Sequence, residues 1–361
     1  MSNPKSPARA SATTSATTSA TTRRRTLRTR LGLALGSLAC AALALAAAEL
    51  VVRWTSDVPF LGNSATLFAA NRFGPSTGNA RDAEAVSFGQ VVYLDHDGFR
   101  VPRPGYASSA ARALLLVGDS VTFGPGVDEP ETFAGRLRTH LTTWNVLNAA
   151  VIGHDVSDYA NVVRTLLAER DDVRAVVLVY CLNDLSSASA EAIRRAVAGA
   201  KASDPPSESW VDRLRSIGVL VRLNELLRER SKLYLLVRNR LTDPARLYFA
   251  ADRALYARDE AAVFAELAPL AEIAASLSER GIPFTVVVSP YAFQLREPSA
   301  ENLLPQRLVL RFLAAHAIPA VDATPALAPL GSAAFLPYDP MHLSSTGHAA
   351  LEALLRARIA D

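Results

Sequence analysis

The chain has 361 residues, half of them hydrophobic, with a formal net charge of +3 and two cysteines. That length and apolar content suffice for one large folded domain with additions, and two cysteines make no disulfide framework. The positive charge does not point to nucleic acid. Seven of the 38 basic residues fall in residues 1–30, which hold no acidic residue, so the rest carries 31 basic against 35 acidic residues.

Residues 11–22 are three tandem Ser-Ala-Thr-Thr units. They have no apolar face to bury, so residues 1–30 are expected to be a disordered, basic, cytoplasmic tail ending in Arg23–Arg30. Residues 31–52 are then almost wholly apolar, broken by Gly32, Gly36, Ser37 and Glu49. As a helix they span about 33 Å, enough to cross a bilayer. The preceding basic block should stay cytoplasmic, which puts residues 53–361 outside the inner membrane. A retained signal anchor is favoured by the length of the run. A cleaved signal peptide is the competing reading, with Ala46-Ala47-Ala48 as its cleavage site. A lipoprotein signal ending at Cys40 is disfavoured, because the residues after it stay apolar.

Residues 53–107 mix polar residues with scattered Pro and Gly and are expected to form a stalk and an N-terminal edge to the main domain. From 108 to 361 the pattern alternates. Strands are expected at 112–118, 145–149, 174–180, 283–289 and 319–322, and helices near 131–142, 157–170, 260–280, 303–316 and 346–359. Such alternation predicts an α/β domain, a parallel sheet with helices on both faces. Residues 185–257 interrupt it and read as a helical insertion. Its stretch 212–246 carries nine basic and four acidic residues. Leu214, Ile217, Val221 and then Leu220, Leu223, Leu227 recur at helical spacing, fitting a cap packed on the domain or a face lying on anionic headgroups.

Ligands of open parallel sheets bind at the carboxyl ends of the strands, and the chemistry-bearing residues gather there. Ser120, in Gly118-Asp119-Ser120, follows the first strand. Gly153 follows the second, and Asn183-Asp184 the third. Asp339 and His342 follow the last strand and precede the last helix. Serine, histidine and aspartate are the parts of an acyl-transfer triad. Taken singly, Ser120 reads as a helix N-cap and Asp119 as a turn residue. No Cys/His cluster has zinc spacing, and Asp95-His96-Asp97 runs into a turn at Gly98, so no metal is expected. His96, His140, His154 and His316 read as structural, with a substrate contact left open for His154. His348 reads as packing at the start of the last helix.

This ordered set resembles the SGNH (GDSL-type) hydrolase superfamily over about residues 110–361, omitting the insertion. Leu94–Arg100 and Thr122-Phe123-Gly124 are also similar to its membrane-anchored bacterial branch. The resemblance implies a flavodoxin-like three-layer α/β/α sandwich, with Ser120 as nucleophile, His342 as base and Asp339 orienting it. It also implies an oxyanion hole from the Ser120 and Gly153 N–H groups and the Asn183 amide. The expected activity is a serine-dependent ester hydrolase, without metal or organic cofactor, acting on an acylated small molecule, glycan or lipid. An O-acyltransferase using the same triad and a non-catalytic glycan-binding module are the alternatives. The sequence departs from the family pattern at Cys181, where glycine is usual two residues before the asparagine. A small buried residue is favoured there over a catalytic thiol.

Overall fold

The computed structural model describes residues 14–56, 58, 60–185 and 218–359. It divides into two compact units, Met1–Ser56 and Asp57–Asp361. The first is a single helix, Thr14–Thr55. Its segment Arg30–Thr55 has a mean hydropathy of 2.1 with none of it buried. The tail expected to be disordered is therefore helical from Thr14 on. Extending an existing helix adds one hydrogen bond per residue fixed, so the apolar run can propagate a helix back through Ala, Arg and Thr. Residues 1–13 lie outside the described residues.

The second unit is built on an eight-stranded sheet. Its strands are β3 (Ala83–Ser87), β4 (Gln90–Leu94), β5 (Arg100–Val101), β6 (Arg112–Gly118), β7 (Trp144–Asn148), β8 (Val173–Tyr180), β9 (Phe284–Val288) and β10 (Ala320–Asp322). A separate small pair joins β1 (Phe68–Ala70) to β2 (Thr77–Asn79). The order across the large sheet is β10-β9-β8-β6-β7-β5-β4-β3. The five strands β10-β9-β8-β6-β7 are parallel. Numbered among themselves they run 2-1-3-4-5 from the β7 side, the flavodoxin-like order. All five lie within a residue or two of the positions expected from the apolar runs. Leu114, Leu115 and Leu116 are buried in succession, because a parallel strand covered on both faces needs apolar residues at every position.

The sheet is not wholly parallel, however. β3, β4 and β5 pair antiparallel and extend it beyond β7. Part of the segment expected to form a stalk and an N-terminal edge, residues 83–101, thus adds three strands to the edge of the sheet. Its strands hold two to five residues and are joined by short turns, so they lack the long apolar run that marks the parallel core.

The crossover from β6 to β7 runs through helix Phe133–His140, and that from β7 to β8 through helix Val156–Glu169. The strand order reverses between these steps, and right-handed crossovers then place the two helices on opposite faces. The first packs against Ser345–Arg356 and the second against Glu260–Glu279. Helix Glu260–Glu279 is apolar enough to pass as a membrane span, yet it buries Val263, Leu267, Leu270, Ile273 and Leu277 in the core. The insertion is helical where it is described, in Gly218–Arg230, Lys232–Leu241 and Pro244–Tyr256. Leu214 and Ile217 lie outside the described residues.

Candidate active site

The reversal of strand order puts a crevice at the carboxyl ends of β6 and β8. The ends are level, since Gly118 lies opposite Val179 and Leu116 opposite Asn148. β6 ends at Gly118 because nothing larger fits: a Cβ there would lie 2.0 Å from Thr122 Oγ1 and 2.9 Å from the Val179 carbonyl oxygen. The chain then turns at once into a short helix, Ser120–Phe123, capped by the Asp119 carboxylate, which accepts from Val121 N at 2.8 Å. Ser120 is presented on this turn and is 7% exposed.

The loop between β10 and the last helix brings the other two groups. Asp339 Oδ1 accepts from Met341 N at 2.9 Å and His342 N at 2.8 Å, which fixes its carboxylate. Its Oδ2 accepts from His342 Nδ1 at 2.8 Å. His342 Nε2 lies 2.9 Å from Ser120 Oγ. With Nδ1 donating to the carboxylate, the neutral ring presents a lone pair at Nε2 to the serine hydroxyl. Burial disfavours the charged imidazole. The Asp339 carboxylate, its hydrogen bond and the Asp119 charge outweigh that, and the His342 pKa is raised. Asp339 is likewise buried, but the imidazole and three hydrogen bonds hold its pKa below the ordinary carboxylate value.

A pH profile follows with a definite sign. With His342 in the role of base expected from the sequence, the ring must be neutral to accept the serine proton, so kcat/KM should rise with pH through a midpoint above the ordinary imidazole value of about 6.5. Asp339→Asn removes the raising charge, so the surviving activity should show its midpoint at lower pH. A wild-type midpoint at or below 6.5 would contradict the assignment.

Asn183 sits in the turn after β8. Its Nδ2 donates to Asp119 Oδ2 at 3.2 Å, and Ser120 Oγ lies 3.2 Å from the same oxygen. Asp119 is fully buried. It is more than the turn residue its sequence position implies, since it joins the Ser120 hydroxyl to the Asn183 amide. Asn183 Oδ1 faces the Tyr291 hydroxyl at 3.3 Å, and that hydroxyl donates to Asp252 Oδ2 at 2.6 Å. Asp252 belongs to the insertion helix Pro244–Tyr256, so the insertion reaches the surroundings of the site. Gly153 follows β7 with φ +86°, exposed, with open space where a Cβ would stand. No hydrogen bond joins it to the serine cluster, but its loop is tied there through Val151 N donating to the Gly118 carbonyl at 3.2 Å.

The edge strands contribute Arg100, which is fully buried. Its guanidinium donates to the carbonyls of Phe123 at 2.7 Å, Val127 at 2.5 Å and Gly124, the residues that close and follow the turn carrying Ser120. Burial and the neighbouring Arg138 lower its pKa to about 9. A buried cation resting on carbonyl oxygens holds that turn as a cap would.

Cys181 is completely buried, and its backbone N–H donates to Asp184 Oδ2 at 2.7 Å. Burial and the Asp119 and Asp184 carboxyls push the thiol pKa well up, which leaves it a poor nucleophile. Cys181→Gly should therefore retain activity within about tenfold, and wild-type turnover should survive thiol-reactive reagents. Rapid inactivation by such a reagent would contradict this reading.

The remaining histidines are held elsewhere. His154 is buried with Nε2 3.0 Å from the Thr77 carbonyl oxygen, and burial lowers its pKa. His348 stacks on Phe133 with ring centroids 5.7 Å apart, and burial and Arg100 lower its pKa to about 3. His140 pairs with Glu352 at 2.8 Å, and His316 bonds the Phe312 carbonyl at 2.9 Å. His96 is exposed. Asp95 accepts from the Asp97 and Phe99 N–H groups, both at 2.9 Å, so its loop is an ordinary polar turn. No group of three or more metal-ligating side chains occurs among the described residues.

No protein-family model matches the chain, and no curated protein matches its sequence. Solved structures similar to it include an extracellular lipase from Streptomyces rimosus, 13% identical, covering 68% of this chain and 99% of the lipase at a TM-score of 0.41. A lipolytic protein of the G-D-S-L family from Veillonella parvula is 11% identical, with 69% and 98% covered and a TM-score of 0.40. An acetyl xylan esterase, AlAXEase, is also 11% identical, with 69% and 100% covered and a TM-score of 0.37. At these identities and scores the likenesses establish no shared chemistry. The chain resembles the SGNH superfamily in its strand order and in the sequence blocks that hold Ser120, Gly153, Asn183, Asp339 and His342.

Proposed function

We propose that this protein is a serine-dependent ester hydrolase. The observation that carries the reading is the hydrogen-bonded line from Ser120 Oγ through His342 to Asp339, 2.9 Å and 2.8 Å in its two steps. A serine hydroxyl is a weak nucleophile until a base takes its proton. His342 Nε2 accepts that proton as Oγ attacks the ester carbonyl, and Asp339 stabilises the imidazolium that forms. The oxyanion is met by the Ser120 and Gly153 N–H groups and by the Asn183 amide. When the intermediate collapses, the bond from acyl carbon to alcohol oxygen breaks and the departing oxygen takes the proton from His342. Water then attacks the acyl-serine with His342 again as base, releasing the acid and restoring the serine.

The N-terminal helix supports the place of action. Its segment Arg30–Thr55 spans about 39 Å at 1.5 Å per residue, and Leu31, Leu33, Leu35, Leu38, Leu43 and Leu45 are exposed along it. With Arg23–Arg30 on the cytoplasmic side, the helix acts as a signal anchor and residues 53–361 lie outside the inner membrane. Acylated envelope glycans or lipids are the substrate class that fits such a location. A reporter active only in the cytoplasm, fused after Asp361, should stay silent, and a bright signal would overturn the topology.

The activity is tested by mass spectrometry of products from an acetyl ester, with and without a sugar acceptor. Free acetate in both cases supports the hydrolase. Acetate appearing only on the sugar would make the protein an acyltransferase. No product in either case, together with no labelling of Ser120 by a fluorophosphonate, would leave the site a glycan-binding pocket.

A further inference from the structure

The hairpin β3–β4 closes through two residues, Phe88 and Gly89, with Ser87 paired to Gln90. Both loop residues have positive φ, +50° and +82°, as a type I′ turn requires. Such turns take Asn, Asp or Gly at the first loop position, because a Cβ with a bulky side chain is strained there. Here that position holds an aromatic ring. The turn is fastened on both flanks. Phe88 N donates to the Gly62 carbonyl at 2.8 Å, and Gly126 N to the Ser87 carbonyl at 3.2 Å. A strained backbone that its surroundings hold in place is the kind that gathers at functional sites.

The ring of Phe88 meets the imidazole of His342 edge to face, with centroids 5.1 Å apart and planes at 85°. It remains partly exposed. Leu336 stands beside it: both side chains crowd Gly126, where a Cβ would lie 2.8 Å from Leu336 Cδ1 and 3.2 Å from Phe88 Cβ. Leu336 also lines a cavity of about 800 Å³ that runs along Pro337, Tyr338, Asn239 and Thr242. In a serine hydrolase the alcohol oxygen departs beside the Nε2 that protonates it. The group attached to that oxygen therefore leaves past whatever flanks the imidazole.

The geometry points to Phe88 as a specificity-determining residue for the alcohol portion of the substrate, a wall that with Leu336 favours an apolar face the size of a six-membered ring. This rests on the hydrolase reading for the identity of the departing group. The strain of placing an aromatic residue at this turn is kept because the ring is needed against the imidazole.

The test compares wild type, Phe88→Asn and Phe88→Tyr on cyclohexyl acetate and ethyl acetate. Asn suits the turn but has no ring. Phe88→Asn should keep or raise the thermal midpoint while lowering the cyclohexyl-to-ethyl ratio of kcat/KM by about tenfold. Phe88→Tyr, which restores a ring, should restore the ratio. An unchanged ratio in Phe88→Asn, or a fall in midpoint with both esters slowed equally, would reduce Phe88 to packing and overturn the proposal. Saturation transfer from the protein to cyclohexanol needs no turnover and separates the two readings if neither ester is cleaved. A signal with wild type and Phe88→Tyr that is lost in Phe88→Asn upholds the wall. An equal signal in all three, or none, overturns it.

Discussion

Ser120→Ala is expected to abolish ester hydrolysis, lowering turnover on the order of 10⁶-fold, while the unfolding midpoint stays near that of wild type. Among the described residues the hydroxyl hydrogen-bonds His342 Nε2 and Asp119 Oδ2, at 2.9 Å and 3.2 Å, so its loss takes away chemistry and little packing. His342→Ala should be about as severe, and the double variant no worse than either, because members of a triad act as a unit. Asp339→Asn should be the milder change, on the order of 10⁴-fold, since it leaves the base in place in the wrong tautomer. Steady-state hydrolysis of a chromogenic acetate measures all four. Activity of Ser120→Ala within tenfold of wild type would sink the triad. A silent Asp339→Asn would mean that another carboxylate orients the imidazole.

Asn183→Ala is expected to lower turnover by about 100- to 1,000-fold with little change in KM, because an oxyanion donor acts mainly in the transition state. That loss corresponds to about 3 to 4 kcal/mol of barrier. Asn183→Asp should be at least as damaging. A carboxylate there would repel the oxyanion and would also face the buried Asp119, from which the amide now lies 3.2 Å away. A KM effect without a turnover effect would make Asn183 a substrate-binding group instead.

The parts of the fold legible in the sequence were those with a strong local signature. Three of the five parallel strands, β6, β8 and β9, announce themselves as largely apolar runs, since strands buried on two faces need apolar residues at most positions, whereas β7 and β10 carry polar residues within short segments. The helices between them follow from the spacing of their core residues. The antiparallel edge is hidden because its strands are short and its hairpin turns through Phe88-Gly89, not the Asn-Gly that marks such turns. The site divides in the same way. Ser120 and Asn183 stand at strand ends, where topology alone predicts convergence, whereas Asp339 and His342 lie just before the last helix, beyond the helix Thr324–Leu327 that follows β10. Asp119 was masked by its reading as a plain turn residue with the cap assigned to Ser120, whereas Asp119 itself caps the short helix. Its second role, joining Ser120 to Asn183, depends on a contact between residues 64 positions apart. Arg100 sits in the stretch Leu94–Arg100 already singled out, but nothing local reveals that its guanidinium reaches the carbonyls after Ser120. Phe88 and the Asp252–Tyr291 pair become part of the site only through tertiary packing.

The central claim is that Ser120 is a nucleophile made reactive by His342. Intact-mass and peptide mapping after treatment with a fluorophosphonate measures this most directly. The account predicts a single adduct on the peptide carrying Ser120, formed by wild type, lost in Ser120→Ala and slowed at least 1,000-fold in His342→Ala. An adduct on any other residue, or equal labelling of Ser120 with and without His342, would contradict it.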